Sequence, residues 1–175
     1  MRQAALWFER RFDFAFPVDL YPNLCARLRG TPARLEEALS GHPRDILIAR
    51  PRQKWSAQEN AGHLLDLEPL WLARVDDYVR GSQQLTPTDL NNRKTDEANH
   101  NAQALRHILA AFRAEREKLL HRLSQLDPTF HSRAIPHPRL QTPMRLVDHL
   151  FFVAEHDDHH LARIWELTHA PVSEA

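Results

Sequence analysis

Glycine is scarce in this chain of 175 residues, with only 4, and cysteine occurs once, as Cys25. A collagen-like repeat and a disulfide framework are therefore both excluded. A lone thiol has no partner for an internal disulfide and suits a reducing cytosol, so a cytoplasmic protein is expected. No run of 18 or more apolar residues occurs, which excludes a membrane-spanning helix. Glu9, Arg10, Arg11 and Asp13 interrupt the segment from Met1 to Phe16, so no secretory signal is expected there. Charge of either sign is not in excess: Lys+Arg and Asp+Glu both total 23. Binding nucleic acid by phosphate neutralisation calls for a basic face, so no such partner is expected. Histidine, by contrast, is abundant, with 12 residues. The chain is 42% hydrophobic and 26% charged, as globular domains are, and its length predicts one domain spanning 1–175.

Leucine and alanine far outnumber valine and isoleucine, which favours helices over sheet. Start and stop signals place four of them. The first lies within Tyr21 to Ser40, with Gly30 as a break, Thr31 as N-cap, Pro32 at the first helical position and Gly41 as the stop. The second opens on the capping box Ser56-Ala57-Gln58-Glu59 and runs to about Arg80, before Gly81, with Pro69 inside it expected to kink the helix or free a backbone carbonyl. The third covers Glu97 to Leu126 on the core row Leu105, Ile108, Leu109, Phe112, Leu119, Leu123 and Leu126. Thr142 as N-cap and Pro143 begin the fourth, which continues to about Thr168. The expected fold is all-α, a four-helix bundle, and its loops are long enough for a crossover connection.

The fourth helix carries His156-Asp157-Asp158-His159-His160. At about 100° per residue, His156 and His160 project from one face, one turn apart, where two imidazoles can chelate a single ion. His159 turns to the other side, and His149 lies two turns away, too far to share that ion. A third ligand must come from another helix. His63, at the edge of the stripe Asn60, Leu67, Trp71 and Val75, faces the interior and is the candidate. Gly62 beside it costs about 1 kcal/mol against alanine in a helix, which close approach of another element would explain.

The other histidines read differently. His100 and His107 lie opposite the core row and read as solvated, His42, His131 and His137 fall in loops, and His121 and His169 carry no signal. Asp157 falls among Leu150, Leu161 and Ile164, where a carboxylate is costly unless paired or used. It reads as a buried salt bridge, with general base as the catalytic alternative. Glu59 reads as the capping-box partner of Ser56, with a site role as its alternative. His156 to His160 also matches H-E-x-x-H with Asp for Glu, but Asp has a shorter reach and the composition hardly supports a zincin's sheet.

The stretches Trp55-Ser56-Ala57-Gln58-Glu59-Asn60-Ala61-Gly62-His63-Leu64 and His156-Asp157-Asp158-His159-His160-Leu161-Ala162-Arg163-Ile164 resemble the DinB/YfiT-like superfamily of metalloenzymes, with Arg27-Leu28-Arg29-Gly30-Thr31-Pro32 upstream. The resemblance implies a four-helix bundle with a divalent ion, zinc or nickel, on His63, His156 and His160, and it suggests a homodimer. Some relatives transfer a low-molecular-weight thiol to an electrophile, so it also implies a small-molecule substrate of that kind. Many relatives continue with Arg-Gly-Gln after the last histidine, where this chain has Leu161-Ala162-Arg163.

Three functions follow as expectations. The first is a metal-dependent thiol transferase. The second is a metal-dependent hydrolase with Asp157 or Glu59 as base. The third is a non-catalytic bundle that binds metal for stability. Trp7, Phe8, Phe12, Phe14 and Phe16 are expected to pack on the bundle, and Cys25 to be a packed thiol.

Overall fold

The computed structural model describes residues 6–169; residues 1–5 and 170–175, the ends of the expected 1–175 domain, lie outside it. In chain order the elements are α1 (Tyr21–Leu39), α2 (Arg44–Ile48), α3 (Ala57–Arg80), α4 (Arg93–Glu97), α5 (Leu105–Ser124), β1 (Ala134–Pro136), β2 (Pro143–Arg145) and α6 (Leu146–Thr168). The four long helices form the bundle. α1 packs on α5 and α6, and α3 packs on the same two, so α1 and α3 stand at diagonal corners. An up-down-up-down bundle would place consecutive helices side by side. Here the α1–α3 and α5–α6 connections both cross the bundle, which is the use of the long loops.

Three boundaries differ from those expected. α1 runs unbroken through Gly30, with Thr31 and Pro32 inside it. Proline lacks the N–H that would bond the carbonyl one turn earlier, that of Leu28. Arg116 Nη1 from α5 donates to that carbonyl instead, at 3.2 Å, so a tertiary contact satisfies what the helix cannot. α5 begins at Leu105 rather than Glu97, because Asn92 and Asn99 adopt left-handed conformations (φ 53° and 50°) that break the preceding stretch into turns. Asparagine tolerates that region better than most residues. α6 begins at Leu146, and Pro143 lies in β2, so Thr142 caps nothing. Asp148 closes the true start by accepting from the Arg145 backbone N–H at 2.8 Å.

β1 and β2 form a small antiparallel hairpin with Ile135 opposite Met144, both buried. The expected signals at both ends of α3 hold, and the helix runs unbroken through Pro69. Ser56 and Glu59 form the reciprocal capping box, and Gly81 ends α3 at φ 70°.

Two apolar clusters fill the bundle. One centres on Leu35, Leu64, Ile108, Phe112 and Ile164, the other on Leu28, Val75, Leu119, Leu150 and Val153. Between them lies a buried polar layer with one residue from each long helix: Thr31, Glu68, Arg116 and Asp157. Arg116 donates to Glu68 at 2.6 and 2.9 Å and to Asp157 at 2.6 and 3.1 Å, and Thr31 donates to Asp157 at 2.8 Å. Burial pushes the Glu68 carboxyl up to about 7, against the pull of Arg116. The N-terminal aromatics lie on α6: Trp7 and Phe12 against Phe152, Phe14 and Phe16 against Phe151. Phe8 is the exception, 58% exposed. Among the described residues no helix is long and apolar enough to cross a membrane.

Candidate metal centre

α3 and α6 are neighbours, and their facing sides bring His63, His156 and His160 together. One ring nitrogen of each lies within 4.8 Å of one from each of the others, and all three side chains are buried. The rings stand 4.6 Å apart for His156 and His160, 4.7 Å for His63 and His160, and 5.3 Å for His63 and His156.

Hydrogen bonds set the tautomers of two of these rings. Thr95 Oγ1 donates to Asp66 at 2.9 Å, so it can only accept from His63 Nδ1–H, at 3.0 Å. Asn60 uses its amide nitrogen on the Ser56 carbonyl and accepts from His160 Nδ1–H at 2.8 Å. Both rings therefore present an unprotonated Nε2, the arrangement in which an outer partner orients a ligating imidazole. The Nδ1 of His156 is buried with no hydrogen-bond partner. Burial lowers His63 to about 4 and takes His156 and His160 well below the usual imidazole value, so all three are neutral at pH 7. Three neutral imidazoles, two of them oriented and one with an orphaned nitrogen, fit a divalent ion.

The support behind His63 comes from the loop between α3 and α5. His100, expected to be solvated, is 3% exposed, and its Nε2 is 2.8 Å from the Asp66 carboxylate that also takes Thr95. Gly62 makes this possible: a Cβ there would meet the His100 ring at 2.3 Å. The close approach expected at Gly62 is therefore present. Sequence reasoning placed Asn60 on the interior stripe without assigning it a hold on His160, and it passed over Asp66; each sits three residues from His63. Thr95 and His100 had no local signal, since loop packing alone places them.

The triad borders a cavity of about 480 Å³, walled in part by Trp7, Trp55 and Trp71. His159, expected to face away, is half-buried and lines this cavity with its ring 5.7 Å from Trp7, though it is not one of the converging three. His137, expected to be a plain loop residue, is 1% exposed and lines it too. His149 is wholly buried between α3 and α6 near Trp71, outside the triad. His107 is exposed, as expected, and so is His121, for which the sequence carried no signal. Asp157 and Glu59 do not border the cavity. Asp157 is taken by Arg116 and Thr31, and Glu59 by Ser56 and Arg50, whose Nε lies 2.8 Å away. Both carboxylates thus have structural partners, and the general-base alternative for each is withdrawn. Cys25 is half-buried and unpaired, and burial pushes its thiol up, which keeps it protonated.

Comparison with curated proteins returns no match. Among solved structures, YfiT from Bacillus subtilis superimposes with a TM-score of 0.76 at 21% identity, over 91% of each chain. That protein is described as "a probable metal-dependent hydrolase with an unusual four-helix bundle topology". At this identity the likeness is one of fold. Residues 27–164 match the model of the DinB superfamily, a span that takes in all of α3 and α5, most of α1 and α6 and the three converging histidines, and the chain belongs to that superfamily.

Proposed function

We propose that this protein is a metal-dependent enzyme that joins a small thiol to an electrophilic substrate, with His63, His156 and His160 holding zinc or nickel. The observation that carries this reading is where the histidines converge: at the wall of a cavity of about 480 Å³, instead of sealed in the core. A fourth protein ligand would mark a structural site, and three leave room for a reactant. A divalent ion held by the three imidazoles would lower the pKa of a thiol beside it, so that the thiol would ionise near neutral pH.

The chain's own residues do the rest. Thr95 and Asn60 hold two rings in their ligating tautomers. The tryptophans give the electrophile an apolar wall and exclude water. The thiol gives up its proton to solvent water, its sulfur forms the new bond to carbon, and the electrophile's leaving group departs with its electron pair. No carboxylate base is needed, which agrees with the engagement of Asp157 and Glu59 elsewhere. The reading keeps the protein a cytosolic enzyme of small molecules, with no nucleic acid or membrane partner.

A second reading, a metal-dependent hydrolase, is favoured by the likeness to YfiT and its description. Water then takes the thiol's place. The test is a pair of assays on metal-loaded and chelated protein: conjugation of a thiol to an aryl halide, and thiol-free hydrolysis of an aryl ester. Thiol consumption that needs metal and disappears in His160→Ala is the expected result. Metal-dependent ester hydrolysis without thiol consumption selects the second reading. Turnover of neither kind leaves a metal-binding bundle without catalysis.

A further inference from the structure

We propose that the same cavity contains an oxyanion subsite: Arg74, His137 and Arg139 bind a carboxylate or phosphate group carried by the substrate. Among the described residues, buried and half-buried guanidinium groups are otherwise well supplied with acceptors. Arg116 has two carboxylates and a carbonyl, and Arg145 has Asp148 and the carbonyls of Phe14 and Phe16. Arg74 and Arg139 break that rule, and both line the cavity.

Arg74, on α3, is 1% exposed. Its Nε donates to the Thr86 carbonyl at 2.8 Å, and its Nη2 is buried with no partner. Arg139, in the β1–β2 loop, also has a buried Nη2 with no partner. Its guanidinium is flanked by the rings of Phe8 and Phe152, 5.3 and 5.8 Å away, which hold it by cation–π contact and offer no acceptor oxygen.

His137 adds a third donor. Its Nδ1 accepts from the backbone N–H groups of Arg139 and Leu140, at 3.2 and 3.1 Å. The neutral ring must then carry its proton on Nε2, and that atom lies 3.2 Å from Arg74 Nη1. Two donors face each other there, and only an acceptor placed between or beside them turns the contact into hydrogen bonds.

Among the described residues no carboxylate fills that role. Asp89 and Asp96 share the cavity, but Asp89 accepts from Arg93 and the Asn91 backbone N–H, and Asp96 from Trp55 Nε1. Asp77, the acidic neighbour on α3, is taken by Arg80, Ser82 and Thr86. Burial lowers Arg74 to about 10 and lowers Arg139 as well, the signature of charge held without compensation. A carboxylate or phosphate accepts through two of its oxygens from paired guanidinium N–H groups along parallel lines and would satisfy the cluster. Because the subsite and the three histidines share one cavity, a bound anionic tail would fix the substrate's position while its other end meets the nucleophile. That role rests on the proposed function; anion binding itself needs no metal.

The experiment therefore uses chelator-treated protein at constant ionic strength, titrated with succinate, inorganic phosphate or uncharged succinamide. Binding is read by calorimetry and by tryptophan fluorescence, since Arg74 sits 5.4 Å from the Trp71 ring. Saturable binding of succinate or phosphate, with no response to succinamide, is expected, and the preferred anion names the group. Arg139→Gln and Arg74→Met should each weaken that binding at least about tenfold, as loss of a charge-assisted hydrogen bond does. Without anion, Arg139→Gln should melt no lower than the wild type, because it relieves an uncompensated charge. Zinc uptake, measured on the same samples, should be unchanged in both variants. Failure of the metal reading would appear in the uptake alone. Absence of saturable anion binding, equal binding by succinamide, or unaltered anion affinity in Arg139→Gln would overturn the subsite.

Discussion

Gly62→Ala reverses an ordinary expectation. In an exposed helix interior, alanine for glycine stabilises by about 1 kcal/mol, because glycine loses more backbone entropy on folding. At Gly62 the added Cβ would sit 2.3 Å from both Cγ and Cδ2 of His100 and 2.6 Å from its Nδ1. The ring cannot easily yield, since its Nε2 is held 2.8 Å from Asp66 and the residue is 3% exposed. Overpacking of this kind costs about 1–3 kcal/mol. Losing the hydrogen bond to the Asp66 carboxylate, if the ring is driven out, costs about 1.5–3 kcal/mol more. The propensity gain offsets only part of this, leaving a net loss of about 1.5–5 kcal/mol. For a domain of this size that lowers Tm by about 3–20 °C. Urea unfolding of metal-free protein gives the free energy directly. His100→Ala in the same chain should recover much of the loss, since it removes the group in the way. A Gly62→Ala protein more stable than the wild type by about 1 kcal/mol would refute the close approach.

Other perturbations separate the layers of the account. Arg116→Leu strands Glu68 and Asp157 in the polar layer and should cost about 3–5 kcal/mol in urea unfolding, with or without metal; a loss under 1 kcal/mol would show that the layer readily rearranges. Thr95→Val leaves all three ligands but removes the acceptor of His63 Nδ1–H, so zinc affinity measured by competition with a chromophoric chelator should fall about 10–100-fold. Acid should destabilise the metal-free protein. The unfolded chain takes up protons on His63, His137, His149, His156 and His160 as pH falls through about 6.5, whereas burial holds His63 neutral in the fold to about 4 and lowers the other four too. With more protons on the unfolded chain, stability is lost between about pH 6.5 and 4. Glu68, raised to about 7, acts in the opposite sense, stabilising at low pH and losing that contribution as pH rises toward 7; it is one group against five. Urea midpoints at pH 7.5, 6 and 5 should therefore fall, and a flat profile would contradict the buried neutral histidines.

What could be read from the sequence was what helical periodicity controls. Ser56, Glu59 and Gly81 bound α3 through local hydrogen bonds and one left-handed residue. The spacing of His156 and His160, and the stripe beside His63, place these rings on inward faces of α6 and α3, which pack together. Asp157 is also settled by its place on the wheel, which required a partner; that partner, Arg116, comes from another helix and left no local trace. Errors fell where tertiary contacts decide. Pro32 suits a helix start by propensity, yet Arg116 supplies the missing bond and α1 continues through it. Thr142-Pro143 mimics a helix start, yet Pro143 pairs with Pro136 in the hairpin. His100 and His137 are buried by loops whose paths follow from no short-range pattern.

The central claim is that His63, His156 and His160 hold one divalent ion. Elemental analysis of tag-free protein after incubation with zinc or nickel and removal of excess tests it most directly, with the wild type beside His63→Ala and His160→Ala. The account predicts about one equivalent in the wild type and none in either variant. No bound metal in the wild type, or the same content in all three, would contradict it.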